Sequence, residues 1–116
     1  MKVLFFLYIC IMNKTIKLFS YGTLYQSGVQ VVEFGKRFDV DPDLDYVDGW
    51  DIIKVKMNGH YYNVAVEGDK KCVLMGAIVH IPEDLIDKVD KYEGKAYKRI
   101  GIITKCGNDC QMYVKR

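Results

Sequence analysis

The residue best placed to move a proton is Glu93, at the end of the stretch Pro82-Glu-Asp-Leu-Ile-Asp-Lys-Val-Asp-Lys-Tyr-Glu-Gly94. Proline and two acids open that stretch, and Leu85, Ile86, Val89 and Tyr92 recur at spacings of three and four, which predicts one short helix stopped by Gly94. Glu93 falls in its last turn, against the negative end of the helix dipole, where lysine or arginine is the usual occupant. A carboxylate held there and partly desolvated has its pKa raised toward neutrality, as a general acid/base requires. On its own, the stretch more often describes a solvated glutamate on a helix end.

A second candidate lies some seventy residues upstream in Leu18-Phe-Ser-Tyr-Gly-Thr-Leu24, a strand running into a tight loop. Gly22 lets the backbone bend and presents consecutive N–H groups from Gly22, Thr23 and Leu24, a cluster that binds a carboxylate or polarises a carbonyl oxygen. An ordinary strand-end turn has the same sequence. The four cysteines, Cys10, Cys72, Cys106 and Cys110, show no disulfide-framework spacing. Cys106 and Cys110 bracket a turn, but a zinc site there needs two more ligands, and only the isolated His60 and His80 are on offer. Redox work by the same pair is opposed by Asp109, which disfavours a thiolate. No metal or cofactor is expected, and reduced thiols fit a cytoplasmic protein.

The elements that must position these groups are mostly strands. Thr15 to Ser20 alternates as a first strand; Val29 to Phe38 is ambiguous between strand and helical turn; Asp39 to Asp45, acidic and holding Pro42, reads as a connection. Tyr46 to Lys56 and His60 to Val66 flank Asn58-Gly59, a strong hairpin signal. Glu67 to Lys71 is a turn before the apolar strand Cys72 to Ile81, in which Gly76 marks a close approach of backbone or ligand. After the helix come Tyr97 to Lys105 and Gln111 to Val114. About seven strands with one clear helix exclude a doubly wound sheet. The pattern predicts a curved or closed, mostly antiparallel sheet with the helix beside it.

The 116 residues form one domain by length, half of them apolar, with nine tyrosines, two prolines and a net charge of +2. No basic patch implies nucleic acid as a partner. Val3 to Met12 is uncharged, too short to span a bilayer and followed by no Ala-x-Ala-like cleavage site. We read residues 1–14 as an apolar leader or extension, with Met12 a possible start and a weak export or membrane segment as the other reading, and 15–116 as the domain. No stable membrane association is expected, and the oligomeric state is open.

Taken in order, the Tyr21-to-Leu24 loop, the apolar strand Val73 to Pro82 with its central glycine, Asp90-Lys-Tyr-Glu93-Gly94, Tyr97-Lys-Arg99 and the late aromatic Tyr113 resemble the gamma-glutamyl cyclotransferase-like family. The resemblance covers roughly residues 16–115. It implies an α+β fold, a small, mostly antiparallel β-barrel flanked by helices, with a pocket at one end. It also implies a small-molecule γ-glutamyl substrate whose own α-amine attacks the γ-carbonyl, giving 5-oxoproline and a free amine or amino acid without a cofactor. Glu93 becomes the acid/base, and Tyr21, Gly22, Thr23, Leu24, Tyr97 and Tyr113 become substrate-binding residues. Tyr25-Gln-Ser-Gly28 and Tyr62-Asn63 depart from the family pattern at the substrate entrance, which leaves a non-catalytic binding module as the alternative.

Overall fold

Strand β1 (Thr15–Ser20) is the centre of the computed structural model, which describes residues 14–116. The run Val3 to Met12 lies outside the described residues. β1 is hydrogen-bonded on one side to antiparallel β5 (Val73–Pro82) and on the other to parallel β7 (Asp109–Lys115). β2 (Asp39–Asp48) and β6 (Tyr97–Ile103) complete a five-stranded sheet in the order β2-β5-β1-β7-β6. β3 (Trp50–Met57) and β4 (His60–Glu67) form a separate hairpin. Asn58 and Gly59 turn it with φ of 50° and 81°, the paired positive values a two-residue turn needs.

The central strands have layers on both faces, so their side chains alternate between two cores instead of between core and water. Leu18, Val79, Ile81 and Tyr113 face one core with the helix residues Ile86 and Val89. Phe19, Ile78, Met112 and Val114 face the other. The hairpin serves both, Val64 in the first and Ala65 in the second. Full burial of Val89 contributes about 2 kcal/mol and seats helix α2 (Ile86–Glu93) on the sheet. A short 3-10 turn, Glu83–Leu85, precedes α2, so the predicted helix is present, with its first turn wound more tightly.

Several expectations are corrected. The ambiguous segment is helix α1 (Ser27–Phe34), ended by Gly35 at φ 76°. The acidic connection is the first half of β2, with Pro42 in an interruption of the ladder between Val40 and Leu44, where no strand N–H is needed. The single strand expected from Tyr46 to Lys56 is two, broken where Gly49 turns at φ 81° and the chain changes sheets. No closed barrel is found among the described residues: β2 and β6 remain edges. The interval between them is bridged at one end only, where the Lys105 N–H donates to the Tyr46 carbonyl at 2.8 Å. Beside it the buried Asp45 carboxylate accepts from Thr104 Oγ1, Asn108 Nδ2 and the Cys106 N–H.

Candidate active site

Three structural choices open a cleft of about 630 Å³ at the C-terminal end of β1. The first is the exit of the chain from the sheet. After Ser20 it bends through Tyr21 and Gly22 into a single 3-10 turn, Thr23–Tyr25. The Gln30 side chain, fully buried on α1, fixes the far end of that loop, donating to the Leu24 carbonyl at 2.8 Å and accepting the Phe38 N–H at 2.7 Å. The N–H groups of Gly22, Thr23 and Leu24 meet no backbone acceptor among the described residues. A Cβ added to Gly22 would meet nothing within 4 Å. Gly76 is the opposite case: its Cβ would lie 2.6 Å from the Ser20 carbonyl oxygen and 2.7 Å from the Phe19 ring. That close approach fixes the root of the loop.

The second choice is the end of α2. Gly94, at φ 91°, stops the helix, and its N–H donates to the Asp90 carbonyl at 3.0 Å. Glu93 is left as the last helical residue, half-buried in the cleft wall. Burial raises its pKa from the ordinary 4.5 to about 7, and the Asp90 carboxylate one turn earlier adds to the rise. Beside it, Tyr92 closes toward the loop, its hydroxyl 3.2 Å from Thr23 Oγ1 and its ring edge-on to Phe34 at 5.6 Å.

The third choice is a wall of tyrosines. Tyr21 donates its hydroxyl to the Tyr113 carbonyl at 2.7 Å and accepts the Ala65 N–H at 3.1 Å, tying β7 to the hairpin. Burial pushes its phenol up to about 12. Tyr97 donates to the Asn63 carbonyl at 3.2 Å, and Tyr113 to Asp90 Oδ1 at 2.6 Å. Burial raises both phenols as well, with the Glu93 charge contributing to each. All three stay neutral near pH 7 with their protons committed to protein acceptors, so they offer the cleft ring faces and oxygen lone pairs.

The structure thus brings Glu93, Tyr21, Gly22, Thr23, Tyr97 and Tyr113 to one cleft. Leu24 differs: its side chain is 2% exposed in the first core, leaving only its backbone to the site. Tyr61 and Tyr92 join the lining without a sequence signal of their own; Tyr92 reads as one more apolar residue of the helix stripe. Arg99 does not line the cleft; it lies behind it, bound to Asp90. Among the described residues no group of three His, Cys, Asp or Glu could hold a metal ion. None of their helices is long and apolar enough to cross a membrane.

The fold corresponds to a known class. The family described as Gamma-glutamyl cyclotransferase, AIG2-like matches residues 18–116, and the chain belongs to it. Two Arabidopsis thaliana proteins determined in solution are similar in fold, each with a TM-score of 0.71, at 19% and 18% identity. The similarity covers 88% of this chain and 62% and 69% of theirs. A structure named gamma-glutamyl cyclotransferase gives a TM-score of 0.69 at 12% identity, over 89% of this chain and 68% of that one. At such identities the likeness speaks for the fold alone. No curated protein matches the sequence.

Proposed function

We propose that this chain is a cofactor-independent γ-glutamyl cyclotransferase-type enzyme. Its substrate is a small γ-glutamyl amide, closed to 5-oxoproline with release of an amine or amino acid. The substrate's α-nitrogen bonds to its own γ-carbonyl carbon, and the bond from that carbon to the amide nitrogen breaks. Glu93 takes a proton from the α-ammonium and gives it to the leaving nitrogen. The second proton that the α-nitrogen sheds on ring closure follows the same route, so both end on the released ammonium and the reaction balances without another reactant. The reaction is intramolecular, so the protein has to fold the substrate and carry protons from one of its nitrogens to the other. The N–H groups of the Gly22-to-Leu24 loop, which meet no backbone acceptor among the described residues, suit the glutamyl carboxylate or the developing oxyanion.

The observation that carries this reading is the state of Glu93, poised at about 7 in the cleft wall. A group with that affinity is free to accept a proton and able to give it back at neutral pH. The cleft volume falls within the usual range for small ligands. The test is a panel of γ-glutamyl amides incubated with wild type and Glu93→Gln, with 5-oxoproline measured. Release by wild type that falls at least about a hundredfold in the folded variant is expected. Near-wild-type turnover by Glu93→Gln removes the assignment. Ligand-induced stabilisation with no product from any substrate makes the cleft a binding module.

A further inference from the structure

Behind Glu93 is an arrangement that the chemistry above does not use. The Asp90 carboxylate receives three donors from two strands. Arg99 on β6 donates Nε to Oδ1 at 3.0 Å and Nη2 to Oδ2 at 3.2 Å, and Tyr113 on β7 donates to Oδ1 at 2.6 Å. Arg99 and Tyr113 are register partners, so both project from the same face of the β6–β7 pair. Gln111, two residues before Tyr113 and on that face, accepts from Arg99 Nη1 and holds the guanidinium in plane. The Asp90 backbone carbonyl meanwhile takes the Gly94 N–H that closes the helix. One residue therefore anchors the end of α2 through both its main chain and its side chain.

We infer that Asp90 is a positioning residue: clamped by Arg99 and Tyr113, it fixes the last turn of α2 and keeps one permanent negative charge behind Glu93. This rests on Glu93 being the proton carrier. The titratable groups that line the cleft with Glu93 from the other elements are phenols, Tyr21 after β1, Tyr61 and Tyr62 on β4, Tyr97 on β6 and Tyr113 on β7. Burial holds Tyr21, Tyr97 and Tyr113 uncharged near pH 7. Asp90 is the anion among them. Burial works against its charge, but the Arg99 and Tyr113 hydrogen bonds outweigh burial and hold the carboxyl below its ordinary value. It stays ionised wherever Glu93 titrates. The Asp90 side chain is 39% exposed, so water screens its field. An influence on Glu93 of about one pH unit is therefore expected, not several.

The test separates charge from mechanical support. The Glu93 carboxyl is titrated by NMR in full-length protein labelled with ¹³C-glutamate, the resonance being assigned by its loss in Glu93→Gln. Asp90→Asn, which keeps the shape and removes the charge, is expected to lower the Glu93 midpoint by about one unit. The acidic limb of kcat/KM moves down with it. Arg99→Gln breaks the same staple and leaves the charge, so the midpoint stays put or rises. Its loosened helix end lowers kcat about tenfold with little change in KM. If both variants leave the midpoint unmoved, or shift it in the same direction, Asp90 is an ordinary helix staple. Should Asp90→Asn fail to fold, Arg99→Gln decides alone: a lowered Glu93 midpoint, or an unchanged kcat, overturns the inference. The NMR midpoint does not depend on turnover, so its failure is distinct from failure of the catalytic reading, which turnover by Glu93→Gln would reveal.

Discussion

Folding alters the proton affinity of Glu93, and by linkage that alteration is also a statement about stability. The folded chain binds the proton with a pKa of about 7, against 4.5 ordinarily, with burial the main cause. A raised carboxyl favours the fold below the unfolded value and loses that contribution as pH climbs through the folded one. The difference is on the order of 2–3 kcal/mol. Glu93→Gln, neutral at every pH, should therefore be more stable than wild type at pH 8 by about 2 kcal/mol and indistinguishable near pH 4. Urea denaturation at the two pH values checks this, and an equal difference at both means the carboxyl is not perturbed. At this scale the sequence is half legible. Glu93 announces itself because the proline, the acids, the apolar stripe and Gly94 fix the helix end locally. Asp90's true situation does not, since its donors come 9 and 23 residues later and only strand pairing brings them together.

Between elements, the contact that matters most for the cleft is the crossing of β5 and β1. Gly76→Ala places a methyl against the Ser20 carbonyl and the buried Phe19 ring, neither of which can yield cheaply. A loss of about 2–3 kcal/mol is expected, read as a fall in the denaturation midpoint at unchanged m-value. Because Ser20 leads directly into the Gly22 loop, turnover should fall further than stability explains. The sequence identified Gly76 as a close approach but could not say to what, because the partner strand is more than fifty residues away. Helix α1 was ambiguous because its β-branched valines fit either period; Gln30, with its hydrogen bonds to Leu24 and Phe38, decides the matter and reads as nothing in isolation. β2 hid behind Pro42 and its acids. An interrupted ladder accommodates the proline, and Asp39, Asp43 and Asp48 are exposed.

For the molecule as a whole, the open interval between β2 and β6 is where the expected barrel does not close, and Asp45 spans it. Its carboxyl, 2% exposed, accepts from the Tyr46 N–H as well as from Thr104, Asn108 and Cys106. Burial opposes the charge, yet those hydrogen bonds prevail and hold the carboxyl well below the usual range. A depressed carboxyl contributes stability that is present above the unfolded value and is lost as pH falls through the folded one. Asp45→Ala leaves several buried donors unsatisfied at once and should cost about 3 kcal/mol at neutral pH. The deficit should shrink in acid, measured as urea midpoints between pH 7 and pH 3. No sequence pattern distinguishes Asp45 from the neighbouring exposed Asp43, since its partners lie 59 to 63 residues further on.

Gly22 has a φ of −116°, and no described residue lies within 4 Å of where its Cβ would stand. Under the reading proposed above that volume belongs to the substrate, so the position works as a keyhole whose shape can be altered without touching the lock. Gly22→Ala should melt with wild type while its KM climbs, and successively larger residues at 22 would gauge, atom by atom, how near the visiting molecule comes.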